Sequence, residues 1–232
     1  MRLTEIILVF LITTLSYCHS SIGMNSSQSG ADTSKLAKVL EKGGSDRFLA
    51  LFTEIAVDTF HVYSVPTFYD DPKFLGKQIG KQFNYLFAFD TVLTYSLIEE
   101  GGIDRFYACY KFKLDSNNTG LLIRIPSQYA TTAVDLFIWD NKKNRITNRE
   151  SLSDGFGDEG WHFVQDAWIS DFNRDGLFDI LKRRKDHEVD IDDTTKVSSS
   201  DSTSVFLASG NKFSKRSIRI DTIKFQLKHW IP

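Results

Sequence analysis

The sequence predicts a mainly β domain, an antiparallel sandwich or partial barrel that follows one or two short N-terminal helices. Short segments of alternating apolar and polar residues recur along the chain, and clusters of Asp, Asn, Ser and Gly separate them. Aromatic residues make up 13% of the 232 residues, which is typical of a filled core. No internal repeat is visible, and the chain is short for a propeller of several four-stranded blades.

The predicted domain begins with helical segments. Residues 34–42 place their apolar side chains on one face, and Gly43-Gly44 is expected to end this helix. Residues 46–56 carry a second apolar pattern of helical type. β-branched and aromatic residues in 57–65 then predict a strand, and 66–81 predicts a loop or a short helix.

The middle of the chain has the most regular alternation. Residues 106–114 alternate as a half-buried strand does, Asp115–Gly120 is a strong turn, and 121–125 returns as the partner strand. Further strands are predicted at 133–139, 161–169, 179–184, 205–208 and 217–227. The acidic and Ser/Thr-rich segment 185–203 predicts a mobile loop.

The first residues are typical of an export signal. Arg2 supplies a positive charge, and Ile6–Ile12 begins an apolar core of about a dozen residues, shorter than the ~20 that a membrane-spanning helix needs. We therefore interpret residues 1–23 as a signal segment and 24–33 as a flexible tether. Residues 34–232 then form a single β-rich domain.

The fate of the exported chain depends on Cys18. The segment Leu15–Cys18 resembles a bacterial lipobox, which runs Leu, small, small, Cys, but Tyr17 departs from it. Lipidation implies an outer-envelope lipoprotein, whereas cleavage near Ser20 or Gly23 implies a secreted or periplasmic protein. Cys109 is the only other cysteine, so an internal disulfide forms only if Cys18 stays unlipidated; a buried, inert thiol is expected.

The charge balance indicates no nucleic-acid partner. The chain has 28 basic and 30 acidic residues, a formal net charge of −2. A basic run at Lys182–Lys185 is followed directly by the acidic segment 186–193, so these charges are expected to compensate each other on a solvated surface.

Oxygen-bearing side chains are regularly spaced in Asp171–Asp179. They occupy the first, third, fifth and ninth positions, and Gly176 at the sixth allows a sharp turn. Ca²⁺ takes about six to eight oxygen ligands, which such a coiled loop can supply. The predicted ligands are Asp171, Asn173, Asp175 and Asp179 through their side chains, and Leu177 through its backbone carbonyl. An ordinary Asn/Asp/Gly-rich turn is the open alternative.

This segment resembles the calcium-binding loop of integrin-type FG-GAP and VCBS repeats. Those loops read D-x-[DN]-x-D-G-x-x-D and continue with an apolar residue, here Ile180. The resemblance covers about a dozen residues in a single copy and implies one Ca²⁺. EF-hand loops share the first half but require a Glu where this chain has Lys182. Strand-like flanks at 167–170 and 178–181 predict a loop at the tip of a β-hairpin.

No motif predicts catalysis, because neither G-x-S-x-G nor H-E-x-x-H occurs. Our first hypothesis is an exported calcium-binding module for a protein or glycan at the cell surface, with membrane contact only through a lipid anchor at Cys18. The alternative is a secreted hydrolase whose site combines the acidic segment Asp154–Gly160 with the calcium loop. That acidic segment is otherwise expected to be a flexible connector.

Aromatic and histidine side chains leave two further alternatives. The tryptophans offer either a carbohydrate-stacking surface or core packing, and core packing is the preferred interpretation for Trp139, Trp161, Trp168 and Trp230. Glu159 with His162 suggests a zinc or acid–base pair, although a single His beside aromatic residues is more often packed. The remaining histidines in the domain are far apart in sequence and form no motif.

Overall fold

The computed structural model describes residues 43–56, 59–63, 76–87, 106–126, 133–158 and 160–216, together with the backbone of 230–231. The signal segment, the tether, the first predicted helix and the strand predicted at 217–227 lie outside these ranges. In the parts of the chain that are described, no helix is long and apolar enough to cross a membrane.

The fold is mainly β, as the sequence predicts. Residues 43–49 are helical, and a 3₁₀ helix spans Lys81–Phe87. The strands are β1 (Thr53–Glu54), β2 (Thr59–Val62), β3 (Lys77–Gln78), β4 (Tyr107–Lys113), β5 (Asn118–Arg124), β6 (Val134–Asp140), β7 (Arg145–Asp158), β8 (Trp161–Ser170), β9 (Asp179–Val189), β10 (Val197–Ser209), β11 (Lys212–Arg216) and β12 (Trp230–Ile231).

Strand β7 joins two sheets because its two halves pair with different partners. Residues 145–153 pair with β6, and 154–158 pair with β8. The first sheet continues from β6 through β5 to β4, and the second continues from β8 through β9 and β10 to β11. Most neighbours are antiparallel; β1 with β4 and β2 with β12 are parallel. This arrangement agrees with the predicted sandwich or partial barrel.

The main core contains side chains from both sheets, so the sheets pack face to face. Phe112 and Leu136 from the first sheet share a buried apolar cluster with Phe60, Ile169 and Ile180 from the second. Alternate residues of a strand face opposite sides, and the interior side chains remove apolar surface from water. This core lies directly beneath the hairpin formed by β8 and β9.

Helical residues cover the other face of the first sheet. Phe48 and Phe87 pack there against Phe137 and Trp139 of β6. Strand β6 is therefore buried on both faces, which explains its nearly continuous apolar sequence. Cys109 is a free, buried thiol, and burial raises its pKa while the neighbouring Arg124 lowers it.

Four local predictions are wrong. Gly43 and Gly44 are helical and do not end a helix, and the helix predicted at 46–56 gives way to a turn at residue 50. The segment 185–203 is not a loop, because β9 and β10 pair through most of it and only residues 190–196 form their connection. Asp154–Asp158 is the second half of β7 and not a flexible connector.

Candidate metal centre

The predicted calcium loop connects β8 to β9 at the tip of a hairpin, where the sequence predicts it. Ser170 at the end of β8 pairs with Asp179 at the start of β9. Nine further consecutive pairs then follow the hairpin to Trp161 and Glu188 without any shift in register. The loop therefore lies at one end of an unbroken β-ladder, and its conformation depends on how the two strands are aligned.

Side-chain oxygens in the loop accept hydrogen bonds from its own backbone. The Asp175 N–H donates to Asp171 Oδ1 and to Asn173 Oδ1, each at 3.0 Å. The Gly176 N–H donates to Asp171 Oδ2 at 2.8 Å, and the Leu177 N–H donates to Asp175 Oδ1 at 2.9 Å. These contacts fold the chain into a tight coil around its own oxygen atoms.

Two residues of this coil have positive φ angles. Gly176 has φ = 86°, a conformation that glycine adopts without steric cost, and no atom approaches a Cβ placed there within 4 Å. Arg174 has φ = 63°, which is uncommon for a residue with a side chain. The Asn173 Nδ2 atom donates to Asp175 Oδ2 at 2.8 Å, so the two side chains orient each other.

Asp179 ties the loop to the neighbouring strand. Its side chain is fully buried, its Oδ2 accepts the Phe172 N–H at 3.2 Å, and its Oδ1 accepts the Ala208 N–H of β10 at 2.9 Å. Burial raises the pKa of this carboxyl group, backbone hydrogen bonds from Ala208, Asn173 and Phe172 lower it, and the charge of Asp175 raises it. The carboxylate is thus surrounded by neutral N–H donors and a second negative charge.

The loop contains the kinds of oxygen atom that Ca²⁺ prefers, but its carboxylates are not grouped around one point. Within the ranges described above, no three His, Cys, Asp or Glu side chains form a metal-binding group. Asp179 is directed at Phe172 and Ala208 instead. Carboxylate oxygens retain lone pairs beyond those that accept N–H groups, and carboxylate, amide and carbonyl oxygens are the ligands that Ca²⁺ prefers. The five predicted ligands therefore stay a prediction.

The opposite end of the hairpin carries an aromatic face, defined as Phe156, Trp161, Phe163 and Arg184. The Trp161 ring centroid lies 5.2 Å from that of Phe156 and 5.6 Å from that of Phe163. The Arg184 guanidinium lies 3.9 Å from the Phe163 centroid and is held by the carboxylate of Asp186, with Nε to Oδ1 at 2.9 Å. All of these side chains are half-buried.

Polar groups adjoin the aromatic face on the next strand. In β10, Ser198, Ser200 and Ser202 are paired with residues of β9 that belong to this side of the sheet. The Ser200 hydroxyl donates to Asp186 Oδ2 at 3.4 Å. Rings, a guanidinium, a carboxylate and hydroxyl groups thus share one side of the hairpin, a combination that can stack on a ligand and hydrogen-bond to it.

Trp161 differs from the other tryptophans whose side chains are described. Trp139 and Trp168 are only 1% and 7% exposed, which agrees with the preferred core-packing interpretation. Trp161 is half-buried at the sheet end. The side chain of Trp230 lies outside the described residues.

Two components of the alternative hydrolase site, Asp158 and the loop at 171–179, lie apart from each other. Asp158 pairs with Trp161, at the end of β8 farthest from the predicted calcium loop. A strand rises by about 3.3 Å per residue, so the length of β8 separates them by about 30 Å. Asp158 therefore does not reach an ion in the loop.

Pairing of distant segments produces two histidine contacts that the sequence did not predict. The His61 Nε2 atom lies 2.6 Å from Asp166 Oδ2, and the His61 ring stacks on Trp168 with centroids 4.3 Å apart. His162 is directly opposite His187 across β8 and β9. No sequence signal indicates the pairing of β2 with β8, which brings His61 to Asp166. The contact between His162 and His187 could have been identified from the predicted hairpin, if an unbroken register had been assumed.

Comparison with protein-family models, with curated proteins and with solved structures finds no match for this chain. The resemblance to FG-GAP and VCBS loops therefore depends on the residues of the loop itself.

Proposed function

We propose that the protein is an exported calcium-binding β domain that acts as an interaction module at the cell envelope. One Ca²⁺ is bound by Asp171, Asn173, Asp175 and Asp179 and by the Leu177 carbonyl. The ion supplies positive charge to clustered carboxylates and stiffens the hairpin tip. The signal-like N-terminal sequence supports export, through either a lipid anchor or free secretion.

The burial of Asp179 is the observation that carries the calcium proposal. Its carboxylate is fully buried, its hydrogen-bond donors are backbone N–H groups, and the nearby Asp175 carboxylate repels it. Removing a carboxylate from water is costly unless other charges or hydrogen bonds compensate. A cation in the adjacent loop provides that compensation, and the loop oxygens are of the type that a hard divalent cation prefers.

The aromatic face supports the choice of an interaction module. Trp161 and Phe163 are half-buried on a sheet end, beside Arg184, Asp186 and a row of serine hydroxyls. Stacking rings with surrounding hydrogen-bonding groups suit a glycan, whose faces are apolar and whose edges carry hydroxyls. Of the two partner classes, we therefore propose a surface glycan. Ca²⁺ acts at a distance, by fixing the ladder that presents this face.

Calcium should stabilise the fold, and Asp175→Ala should abolish that effect. A ligand that binds only the folded state adds about 2.7 kcal/mol at a hundredfold excess over its Kd. We expect thermal melts of the wild-type protein in EDTA and in millimolar Ca²⁺ to differ clearly. Asp190→Ala is the matched control, because the Asp190 Oδ1 atom also accepts a backbone N–H in a turn, from Asp192, outside the loop. Coinciding wild-type melts with metal-free protein would contradict the proposal.

Glycan binding should depend on the aromatic face and not directly on the ion. Trp161→Ala should weaken binding to immobilised polysaccharides by about tenfold or more, since it removes a stacking surface, and Phe163→Ala should weaken binding because the Phe163 ring packs against Trp161 and Arg184 and holds them in place. Asp175→Ala should reduce binding only in proportion to the folded fraction, measured by circular dichroism. A panel of hydrolase substrates tests the alternative. A folded Asp175→Ala protein that lost a hydrolytic activity of the parent would favour the hydrolase.

A further inference from the structure

We propose that His162 and His187 form a second metal site, for a divalent transition-metal ion of the Zn²⁺ and Cu²⁺ class. The two residues are directly opposite each other in the ladder of β8 and β9. They face away from the aromatic face, because side chains alternate between the two sides of a strand. Their ring centroids are 4.8 Å apart with an interplanar angle of 41°.

This ring separation matches two imidazoles bound to one ion. A Zn–N bond of about 2.0–2.1 Å places each ring centroid about 3.2 Å from the metal. Two such ligands at about 90–110° on the same ion then have centroids about 4.5–5.2 Å apart. The observed 4.8 Å lies inside this interval. Both strands are already at the required spacing, so binding needs only side-chain rotation.

The histidine pair is open on the side of β7. His162 is exposed, and its neighbour across the ladder on the β7 side is Gly157, which contributes no side chain. A Cβ placed on Gly157 would lie 3.3 Å from the His162 Cβ, so a larger residue there would crowd the base of the His162 side chain. The glycine keeps this edge of the pair open.

A hydrogen bond orients the second ring. His187 Nδ1 lies 3.0 Å from the Ser199 hydroxyl of β10, which leaves Nε2 as the atom available to a metal. Metal-bound histidines commonly hold their other ring nitrogen in such a hydrogen bond, which fixes the orientation of the ring. The arrangement therefore includes both the ligand pair and a support for one of its members.

The chemistry of the pair differs from that of the calcium loop. Imidazole nitrogen suits Zn²⁺, Cu²⁺ and Ni²⁺, whereas Ca²⁺ and Mg²⁺ prefer oxygen. Two protein ligands leave the remaining coordination positions to water. An ion at His162 and His187 would clamp β8 to β9 at the end of the ladder opposite the calcium loop.

Titration of the full-length protein with Zn²⁺ and Cu²⁺ tests this site. Calorimetry should show that His162→Ala and His187→Ala each weaken the tightest Zn²⁺ event by at least about tenfold. Electron paramagnetic resonance of the Cu²⁺ complex should show coupling to two imidazole nitrogens in the wild type and to one in each variant. Zn²⁺ should also raise the melting temperature of the wild type and not of His162→Ala.

Two controls separate this site from the calcium loop and from misfolding. Asp175→Ala should lose the Ca²⁺ response and keep the Zn²⁺ affinity, since the loop lies at the other end of the hairpin. Both histidine variants should keep the wild-type circular dichroism spectrum, because His162 is exposed and His187 is half-buried. Wild-type Zn²⁺ affinity and an unchanged Cu²⁺ spectrum in both folded histidine variants would overturn the proposal.

Discussion

Replacing Gly120 by valine should destabilise the protein by about 3–4 kcal/mol, because the added side chain overpacks the main core. Gly120 in β5 is directly opposite Phe112 in β4. A Cβ at Gly120 would lie 2.6 Å from the Phe112 Cζ atom and 2.8 Å from its Cε1 atom. Contacts this short are not tolerated, so either the ring or the strand has to move.

The Phe112 ring has little freedom to move. It is 3% exposed and makes edge-to-face contacts with Phe60 and Phe178, with centroids 4.9 Å and 5.6 Å away. Phe178 directly precedes the last predicted calcium ligand. Displacement of Phe112 should therefore disturb the end of the predicted calcium loop, and we expect Gly120→Val to weaken the proposed Ca²⁺ binding as well as the fold.

Chemical denaturation of a small set of variants measures this effect. Gly120→Ala should lie between the wild type and Gly120→Val, and Phe112→Leu should recover part of the stability lost in Gly120→Val. Gly43→Ala is the matched control, because no atom lies within 4 Å of a Cβ at Gly43. A Gly120→Val protein with the wild-type denaturation midpoint would show that the core adjusts around this position.

Local sequence signals predicted the central strands and the position of the loop. The alternation in 106–114 and the turn after it correspond to β4, its turn and β5, because a half-buried strand and a tight hairpin are encoded by neighbouring residues. The calcium-type spacing with strand-like flanks located the tip between β8 and β9 for the same reason.

Non-local pairing explains where the sequence was misleading. The Ser-rich segment of β10 has a low intrinsic preference for strand, yet it pairs with β9 through ten residues. Hydrogen bonding to a neighbouring strand therefore holds this segment in the β conformation, although its exposed residues have little intrinsic preference for it. The contact between His61 and Asp166 spans 105 positions and depends on the docking of β2 against β8, which no local pattern encodes.

Replacing Asp179 by alanine should destabilise the calcium-free protein by about 3 kcal/mol. The substitution removes the acceptor of the Phe172 and Ala208 N–H groups, and a buried donor without its partner costs about 1–3 kcal/mol. It also disconnects the loop from β10. Asp179→Asn should have a smaller effect, since the amide oxygen preserves one of the two acceptors.

Comparison with Asp175→Ala separates the support of the loop from the binding of the ion. Asp175 is exposed, and among the described residues its side chain bonds within the loop, so Asp175→Ala should change the stability little in EDTA and remove the gain from Ca²⁺. Asp179→Ala should lower stability in EDTA and also remove the gain. Urea denaturation of the three proteins with and without Ca²⁺ measures both quantities. If Asp179→Ala were as stable as the wild type in EDTA, the two N–H groups would have found other acceptors. The buried carboxylate would then have no structural role other than binding the ion.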